Sequence, residues 1–181
     1  MSLETLINDI IGFYLWQGKQ WLLFTYLFTI VVSAIIILFG IKKRIKRSRI
    51  FFSCLLVFWI VTVVTLTVLC RSIGSKPKYS LIPFWSWRLA LSGNRRGILL
   101  VIENILLLMP IGFLLPLIDH ERWKIRITVL TGFLFSLGIE ICQVSFRRGY
   151  FEIDDLINNT LGVLIGCLTA HFVLLLRDAF F

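Results

Sequence analysis

Charge is the first thing this sequence lacks. Of 181 residues only 16% are charged, against 58% hydrophobic residues and a mean hydropathy of +0.90. Such a balance excludes an ordinary soluble domain and indicates an integral membrane protein. Histidine is nearly absent, with two in the chain, and the four cysteines (Cys54, Cys70, Cys142, Cys167) form no CxxC pair and have no His at zinc spacing. Neither a disulfide framework nor a metal cage is signalled; cysteines in apolar segments act as small buried hydrophobes. Acids are also scarce, 10 against 19 Lys and Arg, for a net charge of +9. In a membrane protein that excess reports topology and contact with anionic lipid, not nucleic-acid binding.

What is present is a series of long apolar runs. Five could span a bilayer, at Trp21 to Ile41, Ile50 to Cys70, Ile98 to Ile118, Ile127 to Phe146 and Leu156 to Leu176, each near the roughly 20 residues a spanning helix needs. They must be helices, because a lipid-exposed backbone has to satisfy its own hydrogen bonds. The expected fold is therefore all-α, a polytopic transmembrane helical bundle of about five spanning helices plus an N-terminal amphipathic interfacial helix. In that N-terminal stretch Leu3, Leu6, Ile7, Ile10, Ile11, Tyr14 and Leu15 recur at three-and-four spacing, with Ser2 as a cap. Glu4 and Asp9 precede its first Lys19, unlike the basic start of a signal peptide, so no cleavage is expected.

The loop Lys42 to Arg49 carries six basic residues in eight and no acid, which places it in the cytoplasm by the positive-inside rule. The N-terminus then lies outside and the C-terminus in the cytoplasm of a multi-pass cell-membrane protein. The chain divides into the interfacial segment 1–20, two scaffold spans over 21–70 around the basic loop 42–49, a basic aromatic external loop 71–97, a three-span polar core 98–176 and a cytoplasmic tail 177–181. The external loop, with Pro83, Phe84, Trp85, Trp87 and Arg88, is either an interfacial aromatic belt or a substrate-contacting segment.

Polar residues gather in the last three spans: Glu103 and Asn104, then Glu140 and Gln143, then Asn158, Asn159 and His171. Ionisable groups at membrane depth are costly and face the bundle interior or a wet cavity, so a functional site is the default expectation. Ser136, Glu140, Gln143 and Arg147 are spaced four, three and four apart, an arc of roughly 60° on one helix face. Glu140 and Arg147 lie about 10 Å apart along such a helix, suited to holding a ligand between them; the alternative is a structural seam between helices. After a turn at Gly149, Asp154 and Asp155 stand at the start of the last helix, where acids suit the dipole. Asp155, Asn158, Asn159, Gly162 and Gly166 share a face, so a polar opening merges into a Gly-x-x-x-Gly packing strip. Pro110 and Pro116 flank Gly112 and predict a kink or break in the third span. His171 is expected to be an interhelical hydrogen bonder, not a catalyst.

The ordered set Ile82-Pro83-Phe84, Asn104, Met109-Pro110-Ile111-Gly112-Phe113, Ser136 to Glu140 to Gln143, Arg147, Asp154-Asp155, Asn158, Gly162 and Gly166 resembles the VanZ-like family over about Pro83 to Gly166. The resemblance implies a small multi-pass bacterial membrane protein whose named member is associated with low-level resistance to teicoplanin, a glycopeptide antibiotic. It implies no settled reaction, cofactor or catalytic residue.

Three functions are open on these residues. The first is an envelope protein that binds or rearranges a cell-surface component, with Arg147 and Arg148 gripping phosphate or carboxylate beside Asp154 and Asp155. The second, less favoured, is an intramembrane enzyme on lipid-linked cell-wall material, with Glu140 as acid or base and Asp154 and Asp155 holding a divalent metal. The third is a small proton-coupled transporter using Glu140 and Glu103. Expected partners are membrane lipid and a lipid-linked cell-wall precursor, envelope polymer or glycopeptide, with no nucleic acid and no cofactor; an oligomer stays open.

Overall fold

The computed structural model describes residues 3–71, 73–74 and 78–180, and side chains from residue 21 onward except those of 22 and 78. The expected Ser2 cap and the amphipathic side chains of residues 3–20 lie outside these described residues. Helix α1 (Leu3–Lys42) runs without a break, and its Leu23–Lys42 portion is a span. A tight turn with Arg44 at φ 54° leads into α2 (Arg47–Val64), which continues as a π-helical turn over Thr65–Leu69. Strand β1 (Lys78–Ser80) and the short α3 (Trp85–Leu91) precede α4 (Arg95–Ile118). Then come α5 (Ile125–Ser145), strand β2 (Tyr150–Glu152) and α6 (Ile153–Phe180).

Among the described residues five helical stretches are long and apolar enough to cross a membrane: Leu23–Lys42, Arg47–Leu69, Arg95–Ile118, Ile125–Ser145 and Ile153–Phe180. They match the five runs read from the sequence to within a few residues. Their outer faces carry exposed Phe24, Phe28, Leu38, Phe51, Leu130, Phe172 and Leu175, the surface a bilayer covers. The protein is a multi-pass membrane protein.

The centre of the bundle is the α4/α6 pair. A Cβ added at Gly162 or Gly166 would fall 2.0 Å from the carbonyl oxygens of Ile105 and Met109, and one at Gly112 would fall 2.1 Å from that of Val163. The two backbones therefore touch, which is the close approach that small residues allow between helices in lipid. Around them Val63, Leu108, Ile111, Leu115, Ile139 and Val163 form the apolar core. Of the kink or break expected at Pro110 and Pro116, the break does not occur, since α4 is continuous through both. Packing against α2 and α6 holds the helix there, and one turn before Pro110 the Trp59 indole of α2 donates to the Leu107 carbonyl at 2.9 Å.

The two ends of the bundle differ. At one end Arg49 pairs with Asp119 at 3.3 Å, joining the basic α1–α2 turn to the α4–α5 turn. At the other end the segment after the π-turn folds back over the bundle. Here β1 and β2 pair in parallel, Lys78 with Tyr150, Tyr79 with Phe151 and Ser80 with Glu152. That ladder fixes α3 over the start of α6. His171, on α6, bonds the Cys167 carbonyl of its own helix at 2.9 Å, and among the described residues the bond to another helix expected from the sequence is not formed.

Candidate functional site

Helix α5 delivers Ser136, Glu140 and Gln143 to one buried face, as their spacing requires. Each is tied to a different neighbour. Ser136 Oγ accepts from Asn159 Nδ2 of α6 at 2.9 Å. Glu140 Oε2 accepts the backbone N–H of Glu152 at 2.8 Å, which anchors β2. Gln143 Nε2 donates to the Thr67 carbonyl of the π-turn at 3.3 Å. Wide turns of this kind misalign their carbonyls and recur at functional sites. Here the carbonyls of Val68, Leu69 and Arg71 are gathered by the Arg148 guanidinium.

The start of α6 sends its two aspartates in different directions. Asp154 is fully buried, and its Oδ2 accepts both the backbone N–H of Ser86, at 2.8 Å, and the Ser86 hydroxyl. Asp155 Oδ1 accepts from Asn104 Nδ2 of α4 at 2.6 Å. One turn further on, Asn158 Oδ1 accepts from the Trp87 indole at 2.7 Å. The aromatic loop is thus stitched to α6 residue by residue.

Between these elements lies a cavity of about 540 Å³, within the usual size range of small-ligand sites. Its polar wall is Arg71, Arg96, Glu103, Asn104, Glu140, Gln143, Glu152, Asp155 and Asn159; its apolar wall includes Trp59, Trp85, Leu100, Leu107 and Ile139. Arg71 acts on Glu140, Glu152 and Asp155 through space. A Cβ at Gly149 would sit 2.8 Å from Arg71 Nη1, so the glycine makes room for that guanidinium. Burial pushes the Glu152 carboxyl above its ordinary range, opposed by the Trp85 indole and Arg71 and reinforced by Asp154. Trp85 Nε1 itself is buried without a partner within hydrogen-bond geometry, as are Gln143 Oε1 and Asn159 Oδ1.

A family model described as VanZ/LLP1 matches residues 26–175. The chain belongs to this family. No curated protein and no solved structure matches it.

In this VanZ/LLP1 chain the sequence-derived residues divide into two groups. Asn104, Glu140, Gln143 and Asp155 line the cavity. Ser136, Asp154 and Asn158 stand behind it, holding Asn159, Ser86 and Trp87. Gly112, Gly162 and Gly166 belong to the α4/α6 contact below, and Pro110 lies on α4 two residues before Gly112.

Arg147 does not belong to the α5 face. The helix ends at Ser145, and Arg147 takes φ 55° and an exposed position, so helical spacing no longer applies to it. The left-handed residue of this turn is Arg147 and not Gly149. Nor do Arg147, Arg148, Asp154 and Asp155 form an outward cluster: Arg148 is spent on carbonyls and Asp154 on Ser86. With the aspartates turned apart, the paired metal site is not formed. Among the described residues no group of three or more His, Cys, Asp and Glu is arranged to hold a metal ion.

The basic residue facing the acids is Arg71, which sequence spacing did not single out. Arg96, Trp59 and Glu152 were missed with it, whereas Trp85 and Ser86 lie in the external loop 71–97 that the sequence offered as an aromatic belt or a substrate-contacting segment. The loop's run of aromatics and prolines was the available signal for Trp85 and Ser86.

Proposed function

We propose that this protein is a bacterial envelope component that binds a cell-surface molecule in the cavity at the polar end of its bundle, and in doing so lowers susceptibility to teicoplanin-type glycopeptides. The observation that carries this reading is where the cavity sits: at the end of the bundle opposite the Lys42 to Arg49 loop. With that loop cytoplasmic by the positive-inside rule, the cavity opens at the outer leaflet, the N-terminus is outside and the C-terminus is inside. A cavity of about 540 Å³ takes a headgroup or a short segment of a larger molecule. Lipid-linked cell-wall precursors, envelope polymers and the glycopeptide itself all present such groups at that leaflet.

The test is teicoplanin susceptibility of cells expressing wild type, Glu140→Gln and Asp155→Asn, with membrane abundance of each measured in parallel. Protection by wild type, lost in both variants at normal abundance, supports binding at this cavity. Protection unchanged in both, or wild type giving no protection, overturns it.

A further inference from the structure

The cavity is open on its side. Arg96, Glu103 and Leu106 line it and are at the same time exposed on the outside of α4, Leu106 by 54%. On the facing helix, half-buried Trp59, Thr62 and Leu66 of α2 form the other edge of the gap. Below it, the Trp59 indole bonds the Leu107 carbonyl at 2.9 Å and ties the two helices together. Above it stand Trp85 of α3 and Glu152 of β2, from the elements at the polar end of the bundle. From Arg96 to Leu106 the gap follows about 15 Å of helix, half of a hydrocarbon core about 30 Å thick. Both helices are long and apolar enough to span, so this opening faces the acyl chains of one leaflet. Glu103 stands on its rim, exposed and eight residues inside the α4 span, and an ionisable group exposed at that depth is costly unless a polar path passes it.

The wall is therefore two-sided in chemistry. Leu66, Leu100, Leu106 and Leu107 offer an apolar track along the gap, while charges of both signs stand beside it. Among the described residues the ion pairs are Arg49–Asp119 and Arg177–Asp178, so Arg71 and Arg96 close none with the four carboxylates of this wall within 4.0 Å. An anionic head would meet those carboxylates, and a cationic head the two guanidiniums. An uncharged head rich in hydroxyls meets neither penalty, because each hydroxyl can donate to a carboxylate or accept from a guanidinium. The indoles of Trp59 and Trp85 add flat apolar surface beside it.

We infer that the cavity takes a lipid that enters sideways between α2 and α4, its hydrocarbon chain along Leu66, Leu100 and Leu106 and its uncharged, hydroxyl-rich head between Arg71, Arg96 and the carboxylates. This names the ligand class of the cavity used in the proposed function, and entry from the outer leaflet rests on that reading. Two sources share the chemistry: a glycosylated membrane lipid and the glycosyl part of a lipid-linked precursor.

The experiment is thermal unfolding of the full chain in phosphatidylcholine nanodiscs carrying increasing mole fractions of glucosyl diacylglycerol, diacylglycerol or phosphatidylglycerol, with methyl glucoside added from water as the head without a chain. Glucosyl diacylglycerol is expected to raise Tm saturably, and the other three are not. Arg96→Leu, at an exposed position, should raise the half-saturating mole fraction about tenfold, the loss of one hydrogen bond from a charged group. Leu106→Trp, which narrows the opening, should raise it at least as far, whereas Leu130→Trp on the outer face of α5 should leave it unchanged. An equal response to phosphatidylglycerol, an equal response to methyl glucoside, or half-saturation unmoved in both Arg96→Leu and Leu106→Trp overturns the proposal. A polyprenyl glucosyl phosphate acting at a lower mole fraction than glucosyl diacylglycerol assigns the precursor as source; the opposite order assigns the membrane glycolipid. Weakened lipid response together with full teicoplanin protection in Arg96→Leu cells overturns the resistance role and leaves the ligand class standing. Protection lost in Glu140→Gln cells, with wild type unresponsive to glucosyl diacylglycerol, overturns the ligand class and leaves the resistance role standing.

Discussion

Asp154 caps a helix to which it does not belong. Its Oδ2 accepts the N–H of Ser86 at 2.8 Å, together with the Ser86 hydroxyl, and Ser86 is the second residue of α3. The capping position of α3 is Phe84, at φ 59°, whose side chain offers no acceptor. An acceptor for that N–H is what a capping Ser or Asp normally supplies locally; here α6 supplies it from 68 residues away. Ser86→Ala should therefore cost about 1 kcal/mol, one of two bonds, and Asp154→Ala about 3 kcal/mol, because it also leaves the buried Ser86 donors unpaired. Unfolding of the purified variants in detergent measures both. Equal losses in the two would show that Asp154 is not the shared acceptor.

The α4/α6 contact makes an equally definite statement about glycine. Gly162→Ala and Gly166→Ala place a methyl group 2.0 Å from a backbone carbonyl oxygen of α4, and neither helix can yield without opening the core. Each should destabilise by about 1–3 kcal/mol or more. Gly138, an exposed glycine inside α5, has nothing within 4 Å of its added Cβ. Gly138→Ala should stabilise by about 0.5–1 kcal/mol through helix propensity alone. Thermal unfolding of the three variants side by side distinguishes close packing from a general intolerance of added bulk.

The spans were legible because apolar runs of this length have one solution in lipid, and that constraint is local to each run. The Gly162/Gly166 strip and the Ser136–Glu140–Gln143 face followed from helical spacing for the same reason. Arg147 shows where that logic stops: a helical wheel extended past Ser145 assigned a face to a residue that has left the helix. Arg71 and Glu152 were illegible for a different reason. They meet the site through a three-residue parallel ladder between Lys78–Ser80 and Tyr150–Glu152, a pairing across 72 positions that no periodicity announces. Asp154 and Asp155 looked alike as neighbours, and only their partners Ser86 and Asn104 separate one as a structural cap from the other as a cavity wall.

Glu152 gives this end of the bundle a pH dependence whose sign can be worked out. Its carboxyl is raised above the ordinary value of 4.5, first by burial, with Trp85 and Arg71 opposing and Asp154 adding to the rise. Between 4.5 and the raised value the folded state holds a proton that the unfolded state has released, so stability falls as pH rises through that window. The contribution is fully present below 4.5. Glu152→Gln removes this ionisation while leaving intact the backbone N–H that bonds Glu140. The variant should therefore melt higher than wild type at pH 8, with the difference shrinking as pH falls toward 4.5. Tm measured in detergent across that range, as variant minus wild type, checks it. A variant less stable than wild type at pH 8 would mean that attraction to Arg71 outweighs burial, and the order of the two effects at Glu152 would have to be reversed.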